Sequence, residues 1–361
     1  MRIAQVSPLW ERVPPPGYGG IELVVGHLTD ELVRRGHEVT LFASGDSQTL
    51  ARLESISPQA IRLDPTVKEP AVYDMLQISR VIEQAQAFDV IHFHTGFSAL
   101  PFAQFLKTAV VHTLHGTFTA DNRKLFTQYR SQSYISISNA QRELEPRLNY
   151  IRTVYNGIDI EDYPFHAQPQ NPPYLAFLGR MSPDKGPQHA IAIARATGLP
   201  LKMAGKIDVV DQEFFEREIA AQIDGKQIQY LGELTHAQKV ELIGNAAVTL
   251  FPITWTEPFG LVMIESMCAG TPVIGMSLGS VPEVIAHGKT GFVCHSIEEM
   301  IAAIPAAMEL NRQACRDHVV SHFSITQMVD GYEAAYQQAI GERMSLNGHL
   351  IPIGFNNDTV E

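Results

Sequence analysis

Cysteine is scarce in this chain, and the few that occur are scattered. Cys268, Cys294 and Cys315 have neither the paired spacing of a metal site nor the density of a disulfide-stabilised domain. The sequence therefore argues against a small disulfide-rich secreted protein. Isolated thiols are typical of a reducing compartment, and we expect a cytoplasmic location.

Positive charge is also in short supply. The 361 residues include 27 Lys and Arg against 39 Asp and Glu, a formal net charge of −12. This balance argues against a nucleic-acid-binding protein, whose affinity comes from neutralising phosphates. The segment 121–152 is an exception, because Lys and Arg outnumber Asp and Glu there. We interpret it as a solvated helix face in preference to a patch for an anionic membrane or an acidic acceptor.

Long apolar runs are missing, so the sequence predicts no membrane span, and the first residues enter a strand pattern without the features of a signal peptide. Contact with a membrane surface is not favoured. Apolar residues still make up 45% of the chain and charged residues 18%, as in globular proteins with full cores. The length suits two domains of about 150 residues each.

Short β-rich runs alternate with longer helical patterns, which predicts an α/β fold with parallel sheets covered on both faces. The pattern restarts near residue 171, after a segment rich in proline and polar residues at 159–173 that we interpret as a hinge. Two Rossmann-like halves follow from this repetition. Strands are predicted at 3–7, 39–42, 90–93, 110–114, 134–137, 153–155, 174–178, 201–204, 227–230, 248–251, 272–275 and 291–293. The clearest helices are predicted at 21–35, 187–197, 237–245 and 260–269.

The segment TWTEPFGLVMIESMCAG carries the most specific spacing in the sequence. Glu257 and Glu265 lie eight positions apart, around a Pro-Phe-Gly turn that opens a helix. Gly260 allows the backbone to approach a ligand, and the free N–H groups of the first helical turn form an anion site. Spacing alone leaves an ordinary capped helix with one solvent-facing Glu equally open.

Arg180 and Lys185 follow a predicted strand in the segment FLGRMSPDKG. Loops at the carboxyl ends of parallel strands are where open α/β sheets bind ligands. An arginine there can grip a diphosphate with two hydrogen bonds, and a lysine can act as a point charge.

A glycine loop, Gly17-Tyr18-Gly19-Gly20, follows the first strand and a run of three prolines. It stands where a phosphate cradle would stand, but the dinucleotide fingerprint G-x-G-x-x-G is absent. We expect the loop to line a cleft between the two domains.

Four histidines cluster at two neighbouring strand ends, in IHFH and VHTLHG. His92 and His94 share one face of a strand, but no nearby cysteine or carboxylate pair completes a metal site. No metal is therefore expected there. His115 lies just past its strand and is the one best placed at a cleft, although a lone histidine is more often structural.

Taken in order, segments along nearly the whole chain resemble those of glycosyltransferase family 4, retaining enzymes with the two-domain GT-B fold. The Glu257 to Glu265 spacing is that family's paired-glutamate motif. The matching segments are YGGIE, GHEVT, DVIHFH, TLHG, SISNA and YNGID in the first half, and GRMSPDKG, EPFGLVMIESMCAGTPVI and GSVPEVIAHGKTGF in the second.

The resemblance implies an N-terminal acceptor domain at 1–165, a donor-binding domain at 166–324 and a helix at 325–343 that crosses back onto the first domain. Residues 344–361 are expected to form a mobile tail. It also implies roles for single residues. Glu257 would hold the donor sugar and His115 would lie beside it, as the catalytic pair. Glu265 would bind the ribose, and Leu234 would meet the base. The diphosphate would lie on Arg180, Lys185, Gly19 and Gly20, and the sugar on Phe259, Gly260 and Leu261.

The implied reaction transfers a sugar from a nucleoside-diphosphate sugar to an acceptor hydroxyl. Arg and Lys can stabilise the leaving diphosphate, and no aspartate pair suggests a metal-held one, so neither a metal nor another cofactor is expected. UDP is favoured as the nucleotide, by frequency in the family alone. The donor sugar and the acceptor stay open, and a soluble acceptor is preferred to a lipid.

Three alternatives compete with this interpretation. A nucleotide-sugar 2-epimerase has the same fold, but such enzymes lack the glutamate pair and the glycine loop. A non-catalytic nucleotide-sugar-binding protein would be expected to have lost Glu257, Arg180 or Lys185, and all three are present. A dinucleotide dehydrogenase is disfavoured because its fingerprint is missing.

Overall fold

A computed structural model describes residues 1–17 and 19–348, except for the side chains of 346–348. The first half forms a sheet of seven parallel strands in the order β3-β2-β1-β4-β5-β6-β7. The strands are β1 Arg2–Val6, β2 Glu38–Phe42, β3 Arg52–Glu54, β4 Val90–Phe93, β5 Ala109–Leu114, β6 Ser133–Ser136 and β7 Tyr150–Thr153. The helices of this half are α1 Gly20–Arg34, α2 Pro70–Glu83, α3 Leu100–Ala103, α4 Asn122–Gln128 and α5 Asn139–Glu143.

The second half repeats the same winding in a six-stranded parallel sheet, ordered β10-β9-β8-β11-β12-β13. Its strands are β8 Leu175–Leu178, β9 Leu201–Ala204, β10 Ile228–Tyr230, β11 Val248–Phe251, β12 Val273–Met276 and β13 Gly291–Cys294. Its helices are α6 Pro187–Thr197, α7 Gln212–Phe214, α8 His236–Gly244, α9 Leu261–Cys268, α10 Val281–Val284, α11 Ile297–Met308 and α12 Arg312–His322.

Local sequence explains where these elements begin and end. Helix α6 starts with Pro187, whose ring suits the first helical position, and ends at Gly198 in the left-handed conformation. Helix α8 has a complete capping box between Thr235 and Gln238. The central strands β4 and β11 are buried at every position, as expected for parallel strands covered on both faces.

The last helix, α13 Ile325–Gly348, returns to the first half. Its buried face, with Val329, Tyr332 and Tyr336, packs in one core with residues of β4 and β5. The prediction of a two-domain Rossmann-like fold with a returning C-terminal helix is confirmed. The helix also includes residues 344–348 of the predicted mobile tail, and the rest of that tail lies outside the described residues.

The structure differs from the sequence-based prediction in some details. The strand predicted at 153–155 runs instead from Tyr150 to Thr153. The apolar residues that suggested the later position serve other contacts, because Val154 packs against Gly331 of α13 and the Tyr155 ring against Phe259. The predicted hinge is anchored at its start, since Arg316 donates to the carbonyl groups of Ile160 and Tyr163.

Candidate active site

One cavity of about 420 Å³ lies between the carboxyl ends of the two sheets. Parallel sheets wound in this order open a crevice where the strand order reverses, between β1 and β4 and between β8 and β11. Residues of both halves line the cavity. All eleven residues singled out from the sequence are among them, namely Gly19, Gly20, His115, Arg180, Lys185, Leu234, Glu257, Phe259, Gly260, Leu261 and Glu265.

Glu257 lies on the loop between β11 and α9 and is buried. Its Oε2 accepts hydrogen bonds from Lys185 Nζ at 2.5 Å and from Trp255 Nε1 at 3.1 Å. The same ammonium group lies 4.7 Å from the centre of the Trp255 ring, a cation–π contact. A cation and a carboxylate are thus held side by side at the cavity wall.

Arg180 follows β8 and faces three carboxylates. The shortest N–O distances from its guanidinium group are 3.0 Å to Asp184, 3.4 Å to Asp211 and 3.5 Å to Asp208. Lys206, which also lines the cavity, lies 2.8 Å from Asp208. The aspartates fix the direction of these cations and offset part of their charge.

Glu265 lies in the second turn of α9. Its Oε1 accepts from Tyr163 Oη at 2.9 Å and from Lys239 Nζ at 2.6 Å. Burial and the Glu265 charge hold the pKa of Tyr163 well above its usual range, so the phenol stays protonated and keeps donating. Both bonds use Oε1, and no hydrogen bond reaches Oε2 from the part of the chain that the structure describes, so Oε2 is the oxygen available to a ligand hydroxyl.

The glycine loop and the N-terminus of α9 face each other across the cavity. A Cβ added to Gly20 would lie 3.2 Å from Leu261 Cδ1, so a side chain here would narrow the gap. Gly260 precedes α9 with φ 78°, and Gly260, Leu261 and Val262 at the start of the helix line the cavity. The first N–H groups of a helix have no partner within it and carry partial positive charge. This pairing of a bare loop and a helix N-terminus suits an anionic group.

His115 lies on the wall formed by the first half, with its Nε2 2.8 Å from His94 Nδ1. Burial lowers the pKa of His115 to about 4, so the ring is neutral near pH 7. The His92 nitrogens bond to Tyr336 and Thr113. Within residues 1–17 and 19–348 no group of three or more His, Cys, Asp or Glu is arranged to hold a metal ion.

Several residues of the cavity were missed by sequence reasoning. Lys206, Lys239 and Trp255 line it and pair with the carboxylates already described. A usable signal existed for Lys206, which follows β9 at the carboxyl end of the sheet just as Arg180 follows β8. No spacing pointed to Tyr163 or Lys239, because each meets Glu265 only through the tertiary fold.

The basic stretch 121–152 lies away from this cavity's described lining, apart from Ile137. Its side chains form local ion pairs, such as Lys124 with Asp121 at 2.9 Å and Arg147 with Glu145 at 2.9 Å. As for membranes, none of the described helices combines the length and the apolar character that a bilayer crossing requires.

Two family models match the chain in succession. Glycosyltransferase Family 4 matches residues 18–162, and Glycosyl transferases group 1 matches residues 159–318. Together they extend from 18 to 318 and contain every residue of the predicted site. These matches support a glycosyltransferase of the family 4 type.

Curated proteins similar to this glycosyltransferase include a glycogen synthase of Mycobacterium tuberculosis, 27% identical over 90% of this chain and 91% of that protein. An N-acetyl-alpha-D-glucosaminyl L-malate synthase of Bacillus anthracis is 26% identical over 93% and 97%. These relatives support sugar transfer from a nucleotide sugar as the activity of the glycosyltransferase.

Solved structures similar to the glycosyltransferase support the fold. AviGT4, a glycosyltransferase involved in avilamycin A biosynthesis, superimposes with a TM-score of 0.71 at 24% identity, over 95% of this chain and 98% of that one. Sucrose-phosphate synthase of Thermosynechococcus elongatus gives a TM-score of 0.75 at 18% identity, over 96% and 99%.

Proposed function

We propose that this glycosyltransferase transfers a sugar, with retention of anomeric configuration, from a nucleoside-diphosphate sugar to an acceptor hydroxyl, without a metal ion. The observation that carries the proposal is that Lys185, Glu257 and Glu265 line the same cavity as the glycine loop of the other half. One extended ligand in this cavity can contact cations, a carboxylate and the glycine backbone, which carries no side chains.

The donor is proposed to lie along α9. Its ribose hydroxyls bind Glu265, and the base lies near Leu234. The diphosphate lies between Arg180, Lys185 and the backbone of Gly19 and Gly20. The sugar then lies on the backbone of Phe259, Gly260 and Leu261, beside Glu257 and His115.

The chemistry follows from these positions. The bond between the anomeric carbon and the β-phosphate oxygen breaks, and positive charge develops on the sugar next to the Glu257 carboxylate. Arg180 and Lys185 stabilise the charge on the leaving diphosphate. The acceptor oxygen bonds to the anomeric carbon on the face that the diphosphate leaves, and its proton passes to the departing phosphate oxygen. Catalysis is thus mainly positioning and electrostatics.

UDP is the nucleotide that we favour. The Anabaena protein HepE, solved in complexes with UDP and with UDP-glucose, superimposes with TM-scores of 0.69 and 0.67 at 18% identity. The three cysteines are buried free thiols, which suits the cytoplasm as the proposed location.

The proposal is tested by mixing the protein with UDP-, GDP- and ADP-sugars and a panel of soluble acceptors, with and without EDTA. Release of one nucleoside diphosphate should depend on an acceptor and be unchanged by EDTA. The anomeric proton coupling in the product, read by NMR, should match that of the donor. Inverted product, or activity that EDTA removes and Mg²⁺ restores, would contradict the proposal.

A further inference from the structure

A linear network of hydrogen-bonded, buried polar side chains begins at His115. His115 Nε2 lies 2.8 Å from His94 Nδ1, and His94 Nε2 lies 3.0 Å from Gln5 Oε1. Gln5 Nε2 donates to the Tyr336 hydroxyl at 2.8 Å, and this hydroxyl lies 2.7 Å from His92 Nδ1. These contacts connect β1, β4 and the loop after β5 with the returning helix α13.

The network continues on the far side of His92. Its Nε2 lies 2.7 Å from Thr113 Oγ1, which donates to the Tyr332 hydroxyl at 3.3 Å. All members other than His115 are buried. Water therefore cannot replace a lost partner without a rearrangement of the core.

The donor and acceptor of each bond can be assigned. Burial holds the pKa of His92 and His94 well below the usual range, so these rings are neutral and each has one donor and one acceptor nitrogen. The Gln5 amide oxygen can only accept, which places the proton of His94 on Nε2. His94 Nδ1 is then an acceptor, and the proton of His115 must be on Nε2.

In the other half of the network the hydrogen bonds have the same donor-to-acceptor direction, away from His115. Because Gln5 Nε2 donates to Tyr336, the tyrosine proton is free to be donated to His92 Nδ1. His92 Nε2 then donates to Thr113. Thr113 then donates its own proton to Tyr332, as observed. The proton positions deduced from Gln5 are therefore the same as those deduced from Thr113.

We propose that these six consecutive hydrogen bonds make Tyr336, Gln5 and His94 positioning residues, which hold His115 as its Nε2–H tautomer. Nδ1 then carries a lone pair and makes no hydrogen bond within the described residues. Because His115 lines the cavity, this nitrogen is the one available there to accept a hydrogen bond from a hydroxyl group of the sugar donor or acceptor. This last step rests on the proposed function, whereas the tautomer itself does not.

The tautomer is measured directly in the full-length protein labelled with ¹⁵N-histidine. Long-range ¹H–¹⁵N correlation distinguishes a protonated from an unprotonated ring nitrogen, and His115→Gln identifies the His115 signals by their loss. We expect a protonated Nε2 and an unprotonated Nδ1 at pH 7. A proton on Nδ1, or a mixture of both tautomers, would overturn the inference, and this spectrum needs no other variant to fold.

Tyr336→Phe and Tyr332→Phe form a matched pair, since each removes one buried hydroxyl from the same helix. Tyr336→Phe frees the Gln5 amide to rotate, so the second His115 tautomer should appear. The kcat for transfer should fall about tenfold, the factor of one weakened hydrogen bond, with UDP affinity unchanged. Tyr332→Phe removes only the terminal acceptor and should leave the His115 signals as they are.

Identical His115 spectra in Tyr336→Phe and wild type would remove Tyr336 from the positioning chain. If the wild-type protein transferred no sugar at all, the proposed function would fail. The spectra would still decide the tautomer, so the two failures are distinguishable.

Discussion

The ammonium group of Lys185 and the carboxylate of Glu257 form a close ion pair whose side chains are 21% and 9% exposed. Two charges in such a place are costly to desolvate, and removing either leaves the other without its main partner. A pair of this kind adds little to stability by itself. Its position in the cavity agrees with the proposed roles of both charges in binding the donor.

Replacing Glu257 by Gln should therefore separate catalysis from binding. The amide keeps the size of the side chain but loses the negative charge that we propose stabilises the sugar in the transition state, so kcat should fall by about 10²–10³. UDP affinity should be kept, because Lys185 is then no longer bound to a carboxylate. Product release and calorimetry measure the two quantities, with the exposed Glu298→Gln as control. A fully active Glu257→Gln protein would refute the role of the carboxylate.

Lys185→Ala and Arg180→Ala should each weaken nucleotide binding, which Glu257→Gln should leave unchanged. Either change removes a cation from the proposed diphosphate site, and we expect weaker nucleoside-diphosphate binding by about 1.5–3 kcal/mol. Calorimetric titration with UDP measures this. The exposed Lys226→Ala tests for a mere change in net charge and should bind UDP like wild type. Unchanged affinity in both cavity variants would show that the diphosphate lies elsewhere.

Acid should destabilise the protein through its buried histidines. The His112 ring stacks on Phe93 with centroids 5.6 Å apart, and burial lowers the pKa of His112 to about 4 from an ordinary 6.5. Below pH 6.5 the unfolded chain binds a proton that the folded chain does not, so this stability is present above pH 6.5 and is lost as the pH falls towards 4. Glu22, with a pKa raised to about 7 by burial, acts in the opposite direction, because its contribution is lost as the pH rises through 7.

The melting temperature at constant ionic strength should thus fall between pH 6.5 and pH 5, and fall less steeply in His112→Phe. The exposed His295→Gln should follow the wild type. If His112→Phe had the same pH dependence as wild type, His112 would not be one of the groups responsible.

Among the loops and helices, the turn before α10 fixes the loop that carries Glu257. Gly279 has φ 58°, and a Cβ added there would lie 2.2 Å from Glu257 O. Ser280 N donates to the same carbonyl oxygen at 2.9 Å. The two segments can approach this closely only because position 279 has no side chain.

Gly279→Ala should consequently displace the Glu257 loop, whereas Gly288→Ala should not. Both glycines have positive φ, but nothing lies within 4 Å of a Cβ at Gly288. We expect the conformational cost of about 1–2 kcal/mol in both variants and a further loss of stability in Gly279→Ala alone, together with loss of transfer. Denaturant unfolding and activity assays compare them, and equal stabilities would exclude the steric explanation.

Elements with strong local signals could be predicted from the sequence. Helix α6 matches its prediction at both ends because Pro187 and Gly198 determine them. β3, at the sheet edge, was missed because its three residues, Arg52–Glu54, have no apolar pattern. β7 was misplaced because the apolar character of Val154 and Tyr155 serves contacts with α13 and Phe259, which local sequence cannot reveal.

For the molecule as a whole, the site arises where two independently wound sheets face each other. The carboxylate of Glu283 in α10 accepts from Asn139 N at 2.8 Å, from Ala140 N at 2.7 Å and from Tyr155 Oη at 2.8 Å. These contacts connect the second half with the N-terminus of α5 in the first. The returning helix α13 adds a covalent connection, so both walls of the cavity are held in place.

Sequence reasoning could assemble the cavity because each predicted residue follows a strand or opens a helix at the carboxyl edge of a sheet. Lys185 and Glu257 are 72 positions apart, yet the common winding of β8 and β11 brings their loops together. The partners of Glu265 and the hydrogen bonds beneath His115 could not be predicted. They depend on how the linker and α13 pack, over separations of up to 331 positions.

The most direct test of the account is calorimetric titration of the full-length protein with UDP, GDP and ADP, each with and without EDTA. We predict selective binding of one nucleoside diphosphate, with UDP expected, that EDTA leaves unchanged and Lys185→Ala weakens. No binding of any of the three, or binding that EDTA abolishes, would contradict a metal-independent donor site in this cavity.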